Sequence, residues 1–290
     1  MRFTVIGASG FIGRHLAAHL RARGLSCRTP ERGAPALLDE AHEHVVYCAG
    51  YTADFLADPA ATVEAHVGLL TDLLRRGRFA TLTYLSSTRL YDFTDDPARE
   101  DARLRLSPHL PRNLFDLSKA LGESLCIHAG RAGVRAVRLA SVYADAPDGD
   151  GFLHAVIRAA RSGRDARFDV APDTARDYIH VEDVCRLLVA VAERGRRPIY
   201  NLAAGVNIAN AALFEAVQRL CGVRLEATRP PAGMPAPRID ITAIVEDFGL
   251  RPAPLWQHLP RLLAAGRAAR HGETGTAGPA PAAAVLAGPA

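Results

Sequence analysis

Hydrophobic and polar positions change period along this chain in an ordered way. Residues 2–6, RFTVI, form a short apolar run that predicts a strand. FIGRHLAAHLRARG follows with helical spacing and stops at Gly24. LSCR predicts a second short strand, and residues 45–49, VVYCA, a buried one bounded by Gly50. Asp58 before Pro59 predicts a helix start; Val63, Val67, Leu70 and Leu74 form its apolar stripe, and Gly77 ends it. Residues 80–87, ATLTYLSS, predict a strand that ends in small hydroxyl residues. A polar loop runs to about 111, a helix is expected over 113–129, and VRAVRLA (134–140) predicts another strand.

Past about residue 150 the texture changes. The pattern predicts a helix at 151–162, a strand near 178–180, a helix at 181–194, a strand at 198–202 and a helix at 210–220. A proline-rich loop, ATRPPAGMPAPR, then leads to two short helices ending near 265. Residues 272–290 are almost all Ala, Gly and Pro, which predicts a disordered tail.

Strand–helix alternation implies an α/β fold: a Rossmann-type, doubly wound parallel sheet with helices on both faces and a small C-terminal lobe. The expected division is a nucleotide-binding domain over 1–165 with strand 198–202 contributing, a substrate lobe over 166–268 and the tail over 269–290. About 16 residues separate the second strand from VVYCA, too few for a helix and a third strand, so that sheet edge is expected to be trimmed.

Composition narrows the class. With 49% hydrophobic and 23% charged residues among 290, a globular protein is expected. The start, MRFTVIGASG, predicts no leader peptide, and no apolar run reaches membrane-spanning length. Five scattered cysteines without paired spacing predict buried free thiols and a cytoplasmic protein. The net charge of +4 is spread out with no basic run among aromatics, which excludes a nucleic-acid surface. His42 and His44, in AHEH, lack a third ligand nearby; a solvated helix end is expected there and no metal. Of 35 basic residues, Lys119 is the only lysine. A compact ammonium in a chain of arginines points to a specific role.

The chemistry begins at residues 5–13, VIGASGFIG. Gly7, Gly10 and Gly13 stand between a strand and a helix, where a tight turn, close approach of a pyrophosphate and helix–strand packing each call for glycine. The alternative is a glycine-rich turn that binds nothing. Together with LSSTRLY, the SK of FDLSK and RDYIHVED, in that order over residues 1–265, this motif resembles the extended short-chain dehydrogenase/reductase family, in its NAD(P)-dependent sugar-nucleotide epimerase/dehydratase branch.

The resemblance implies a cofactor held by Gly7, Ser9, Gly10, Phe11, Ile12, Gly13, Cys48, Ala49, Gly50 and Lys119. No acid ends the second strand, and Arg28 and Arg32 are placed to hold a 2′-phosphate, which favours NADP over NAD. Ser87, four residues before Tyr91, would hydrogen-bond the reacting oxygen; alternatively it only satisfies the local backbone. Thr88 and Arg89 stand where the family's dehydratases have Asp-Glu, which disfavours that elimination, and Asp92 stands where Gly is usual. Arg176 would contact the diphosphate of a nucleotide sugar, with Arg238 a looser second match; ion pairs with Asp177 or Asp240 are the alternative. Thr88 and Tyr143 complete the expected substrate set. His66 replaces a usual Asn.

The main departure is Phe115. The family pattern is Tyr-x-x-x-Lys, in which Tyr moves the proton and Lys holds the nicotinamide ribose. Lys119 fits, but Phe115 has no oxygen. A general acid contributes about 10²–10⁴ in rate. Tyr91, Tyr143 and His180 are the candidate substitutes. The resemblance therefore implies a nucleotide-sugar oxidoreductase with an atypical acid, alternatively a degenerate cofactor-binding protein with a sensor or partner role, or redox-neutral epimerisation or lyase chemistry. It also implies a homodimer built on helices 59–75 and 113–129.

Overall fold

The structure is a computed structural model that describes residues 1–34, 36–51, 55–94, 96–146, 151–233, 236–264 and 286–287. The N-terminal half runs β1 (Arg2–Ile6), α1 (Phe11–Ala22), β2 (Ser26–Arg28), α2 (Ala36–Asp39) and β3 (Ala41–Tyr47). A long helical stretch follows as α3 (Pro59–Val63), a π-helical turn (Glu64–Gly68) and α4 (Leu69–Arg76). Next come β4 (Arg78–Ser87), a 3₁₀ turn (Thr88–Tyr91), α5 (Asn113–Ile127), β5 (Val134–Leu139) and β6 (Ser141–Tyr143). The second half contains α6 (Phe152–Ser162), β7 (Ala166–Asp169), β8 (Ala175–His180), α7 (Val181–Arg194) and β9 (Ile199–Leu202). It continues with β10 (Asn207–Ala209), α8 (Asn210–Cys221), β11 (Leu225–Ala227), α9 (Thr242–Phe248), α10 (Leu255–Ala264) and β12 (Leu286–Ala287).

Six strands form one all-parallel sheet in the order β2-β1-β3-β4-β5-β9. Their runs are buried on both faces, as parallel strands under crossover helices must be. Phe3, Val5, Val46 and Val137 pack with α1 and α7 on one face. Val45, Tyr47, Leu82 and Tyr84 pack with Leu70 and Leu73 of α4 and Cys126 of α5 on the other. The three-residue β2 is the sheet edge, the trimming expected from the short connection. A separate core joins α6, α8 and α10 to Phe168, Tyr178 and Leu225. No helix among the described residues is long and apolar enough to cross a membrane.

Two expectations need correction. His42 and His44 are not on a solvated helix end but inside β3, both buried. The His42 ring contacts the Thr4 hydroxyl at 3.0 Å and the Leu37 carbonyl at 2.9 Å, and the His44 ring the Thr81 hydroxyl at 2.9 Å. Partners on adjacent strands make two polar residues acceptable inside a sheet. The stripe of the 59–76 helix also shifts. Val63 and Leu74 are not buried; Thr62, His66, Val67, Leu70 and Leu73 are. The extra residue in the π turn rotates everything after Gly68, so a 3.6-residue period cannot be carried through it. Finally, of residues 269–290 only Leu286–Ala287 is described, as a two-residue strand paired with β7; the rest of the predicted tail lies outside the described residues.

Candidate active site

The glycine turn joins β1 to α1. Gly7 has φ +79°, and a Cβ there would lie 2.6 Å from the Ala49 nitrogen. A Cβ on Gly13 would lie 2.2 Å from the Gly7 carbonyl oxygen, so the helix start sits directly on the turn. Gly10 is the N-cap of α1, which has no side-chain cap and no acid in its first turn. Backbone amides that no N-cap side chain satisfies, beside a wall where no side chain fits, suit the pyrophosphate of a dinucleotide. Ser9, Phe11 and Ile12 belong to this turn, and Cys48, Ala49 and Gly50 follow β3 alongside it. At the β2 end, Arg28 is ion-paired with Glu40, an acid that the linear sequence places 12 residues away; Arg32 is exposed.

Lys119 lies on α5 with its side chain nearly enclosed, at 6% exposure. Its Nζ donates to the Leu85 carbonyl at 3.0 Å and lies 5.1 Å from the Tyr84 ring and 5.8 Å from the Phe115 ring. Burial pushes this amine down to about 7, against partial support from Cys48 and Glu123. A Cβ on Gly50 would lie 3.3 Å from Nζ, so the lysine reaches the strand end beside the glycine turn.

Phe115 is buried, at 4% exposure. Its ring meets Phe55 at 5.7 Å and the edge of His66 at 5.2 Å, and the Arg89 guanidinium stands 4.5 Å from its centroid. His66 is closed off. Its Nε2 faces the Tyr51 carbonyl at 3.1 Å, and its Nδ1 lies 2.6 Å from the Ser118 hydroxyl, which donates to the Phe115 carbonyl at 2.8 Å. Burial, then the Lys119 charge, push His66 down to about 3.

Ser87 ends β4 and accepts from the Arg89 backbone nitrogen at 3.2 Å, capping the 3₁₀ turn. Thr88 donates to the Leu139 carbonyl at 3.2 Å. The candidate substitutes for the phenol are turned to other work. The Tyr91 hydroxyl donates to Asn201 Oδ1 at 2.8 Å and accepts from Arg138 at 2.6 Å, and burial raises it to about 12. Tyr143 pairs with His258 at 3.0 Å, and burial pushes it up. His180 stacks edge-on against both, and burial pushes it down.

Beyond the 3₁₀ turn opens a cleft of about 530 Å³, lined by Thr88, Arg89, Arg112, Phe152, Arg176 and Arg229 among others. Arg176 lies 5.4 Å from the Phe152 ring and keeps one buried Nη without a hydrogen-bond partner. Asp177 does not pair with it: that carboxylate accepts from the Ala204 and Val206 nitrogens at 2.8 and 2.9 Å. Arg238 departs from expectation. It donates to the Gly205 carbonyl at 2.7 Å and lines a second cleft with Asp240 and Arg251. Three arginines that the motif matches assigned to no ligand, Arg89, Arg112 and Arg229, line the main cleft instead. Arg229, from the proline-rich loop, is bidentate to Asp169 at 2.8 and 2.7 Å. Arg89 is ion-paired to the buried Asp116 at 3.4 Å. Arg89 was legible only as a departure from Asp-Glu, because nothing linear signals that it would meet Phe115.

The family model described as "NAD dependent epimerase/dehydratase family" matches residues 3–203. A GDP-6-deoxy-D-mannose reductase from Pseudomonas aeruginosa is 29% identical over 265 residues, covering 80% of this chain and 84% of that protein. A dTDP-4-dehydro-6-deoxy-D-allose reductase from a Streptomyces species is 27% identical over 302 residues, covering 87% of this chain and 91% of that protein. Among solved structures, RMD from Pseudomonas aeruginosa complexed with NADPH superposes with a TM-score of 0.71 at 24% identity, covering 92% of this chain and all of that one (100%).

Proposed function

Because the chain belongs to the NAD dependent epimerase/dehydratase family, we propose that it is a nicotinamide-dependent oxidoreductase that reduces the sugar carbonyl of a nucleotide-linked keto sugar. One observation carries this reading: an unbroken line of contacts runs from the glycine turn to the arginine cleft. Gly7 abuts Ala49, Gly50 borders Lys119, Lys119 faces Phe115, and Phe115 carries Arg89, which lines the cleft. The turn would hold the pyrophosphate, and Lys119 the nicotinamide ribose. A nicotinamide held there would supply or accept hydride. Arg176, with its unpaired Nη, would take the diphosphate of the substrate. Two reductases of 6-deoxy nucleotide sugars among the relatives support the substrate class.

Residues 1–165 with β9 are assigned to the cofactor and 166–268 to the substrate; the two cores interleave across that boundary, with α6 in the second core and α7 in the first. NADP is preferred over NAD, with Arg32 the exposed cation, since Glu40 engages Arg28. Five free cysteines support a cytoplasmic setting. Exposed Leu121 and Ile127 on α5 and Val63 on α3 support a homodimer on those helices.

The test is incubation with NADPH and a panel of 4-keto-6-deoxy nucleotide sugars. Oxidation of NADPH with one of them is expected; binding of both ligands with no turnover on any would favour the second reading, a cofactor-binding protein without redox activity. The absent hydroxyl at position 115 is what favours that alternative. Phe115→Tyr separates the two. A chain lacking any acid would gain activity, and a chain with a working acid would not.

A further inference from the structure

Position 89 shares a surface with position 115. The Arg89 guanidinium lies over the faces of two rings, 4.5 Å from the Phe115 centroid and 5.5 Å from that of Phe55. Asp116, the residue after Phe115, is buried to 1% and pairs with it at 3.4 Å. The side chain remains 28% exposed on the cleft side. Two aromatic platforms and one carboxylate thus aim a cation with spare donors at the space where the family's phenol would act. Phe115 and Asp116 read together as the seat of Arg89.

We propose that Arg89 is the proton donor of the reaction and that alcohol oxidation by the same site draws on its rare neutral form. This rests on the function proposed above. A reduced nicotinamide delivers hydride to the carbonyl carbon and is oxidised. The C=O π pair becomes a lone pair on oxygen, an Arg89 N–H bond breaks, and its proton forms the new O–H bond. Water then reprotonates the neutral guanidine. An alkoxide is about as basic as hydroxide, the conjugate base of water at about 15.7, so transfer from a guanidinium near 12.5–13.8 runs downhill. The reverse reaction needs a base. At pH 7 the neutral guanidine is a fraction on the order of 10⁻⁵ or less. Alcohol oxidation, and any epimerisation that begins with it, draws on that fraction and therefore rises with pH.

Arg89 faces Asp116 on α5, Arg112 at the N-cap of that helix, Asp92 after the 3₁₀ turn and Arg176 on β8, and burial lowers it from the ordinary value. These neighbours set the test. With NADPH and a 4-keto-6-deoxy nucleotide sugar, kcat/KM for reduction should stay flat from pH 6 to about 9.5. Oxidation of the product alcohol should rise about tenfold per pH unit with no plateau below about pH 11. Arg89→Lys, which keeps the charge on an acid near 10.4, should bring that plateau down by about two units. A separate readout needs no cofactor. By calorimetry, Arg89→Met should lower affinity for the keto-sugar nucleotide about tenfold or more, while affinity for the nucleotide diphosphate alone is unchanged. Thermal unfolding checks that this variant is folded, and Arg89→Lys serves where it is not. An oxidation plateau near pH 7 would transfer the role to Lys119 and overturn the proposal, as would unaltered keto-sugar affinity in Arg89→Met. No NADPH oxidation with any keto sugar would sink the functional reading instead, while the calorimetric arm still decides whether Arg89 holds the carbonyl.

Discussion

Lys119→Met should make the nucleotide-free protein more stable near neutral pH while removing its hold on the cofactor. The amine is enclosed, and no carboxylate pairs with it among the described residues: Glu123 is bidentate to Arg138 at 2.9 and 2.7 Å. Burial lowers Lys119 from 10.5 to about 7. Its folded value lies below its unfolded one, so the unfolded chain binds the extra proton. The penalty on folding is full below pH 7, fades as pH rises from 7, and is gone above about 10.5. At about 1.4 kcal/mol per unit, three and a half units amount to about 4–5 kcal/mol at pH 6. Methionine fills a similar volume without a charge, but it leaves the Leu85 carbonyl unpaired, which costs about 1–3 kcal/mol. The net gain is about 2 kcal/mol at pH 6, shrinking by about 1.4 kcal/mol per pH unit above 7 until the variant becomes the less stable protein. Urea unfolding of both proteins at pH 6, 7, 8 and 9 without nucleotide measures the difference. A difference that does not change with pH between 6 and 9 would refute the reasoning, because it would mean that the lysine carries the same charge in both states.

Three further outcomes follow from the geometry. Gly13→Ala puts a methyl 2.2 Å from the Gly7 oxygen and should cost about 1–3 kcal/mol in urea unfolding, together with loss of dinucleotide binding by fluorescence titration. Glu123→Gln breaks a pair in which both side chains are almost fully buried and should cost about 3–5 kcal/mol; a change under about 1 kcal/mol would show that Arg138 finds another partner. Arg176→Ala gives up its contact with the Phe152 ring at a cost of about 1 kcal/mol, and should weaken nucleotide-diphosphate binding about tenfold by calorimetry.

The central sheet was legible because its signals are local. β1, the glycine turn and α1 occupy 21 consecutive residues, and α7 is found at its expected limits, Val181–Arg194. The elements that escaped depend on partners distant in the chain. β6 and β10 are three residues each and exist only through pairing with β8; β7 and β11 pair only with each other and β12. His42 and His44 were misread for the same reason: Thr4 and Thr81, on other strands, accommodate them. The cleft shows this most clearly. Arg229 reaches it from a proline-rich loop, and Arg238, better placed by motif, turns to Gly205.

The same physics explains why one lysine persists among 34 arginines. Position 119 is enclosed and has no carboxylate partner among the described residues, so whatever stands there must be able to shed its proton when no ligand is present. Arginine cannot do so, and a permanently charged guanidinium buried unpaired would cost several kcal/mol. At position 89 the requirement is the opposite. Asp116 lies beside the side chain, two ring faces support it and solvent reaches it, so a permanent cation is tolerable there. Phe115 serves both, with Lys119 at 5.8 Å and Arg89 at 4.5 Å from its ring. The ring quadrupole attracts cations whether or not it carries a hydroxyl. Exchanging phenol for phenyl therefore leaves the electrostatic support of both cations in place and removes only the proton carrier, which is why the substitution is compatible with an otherwise intact cofactor cradle.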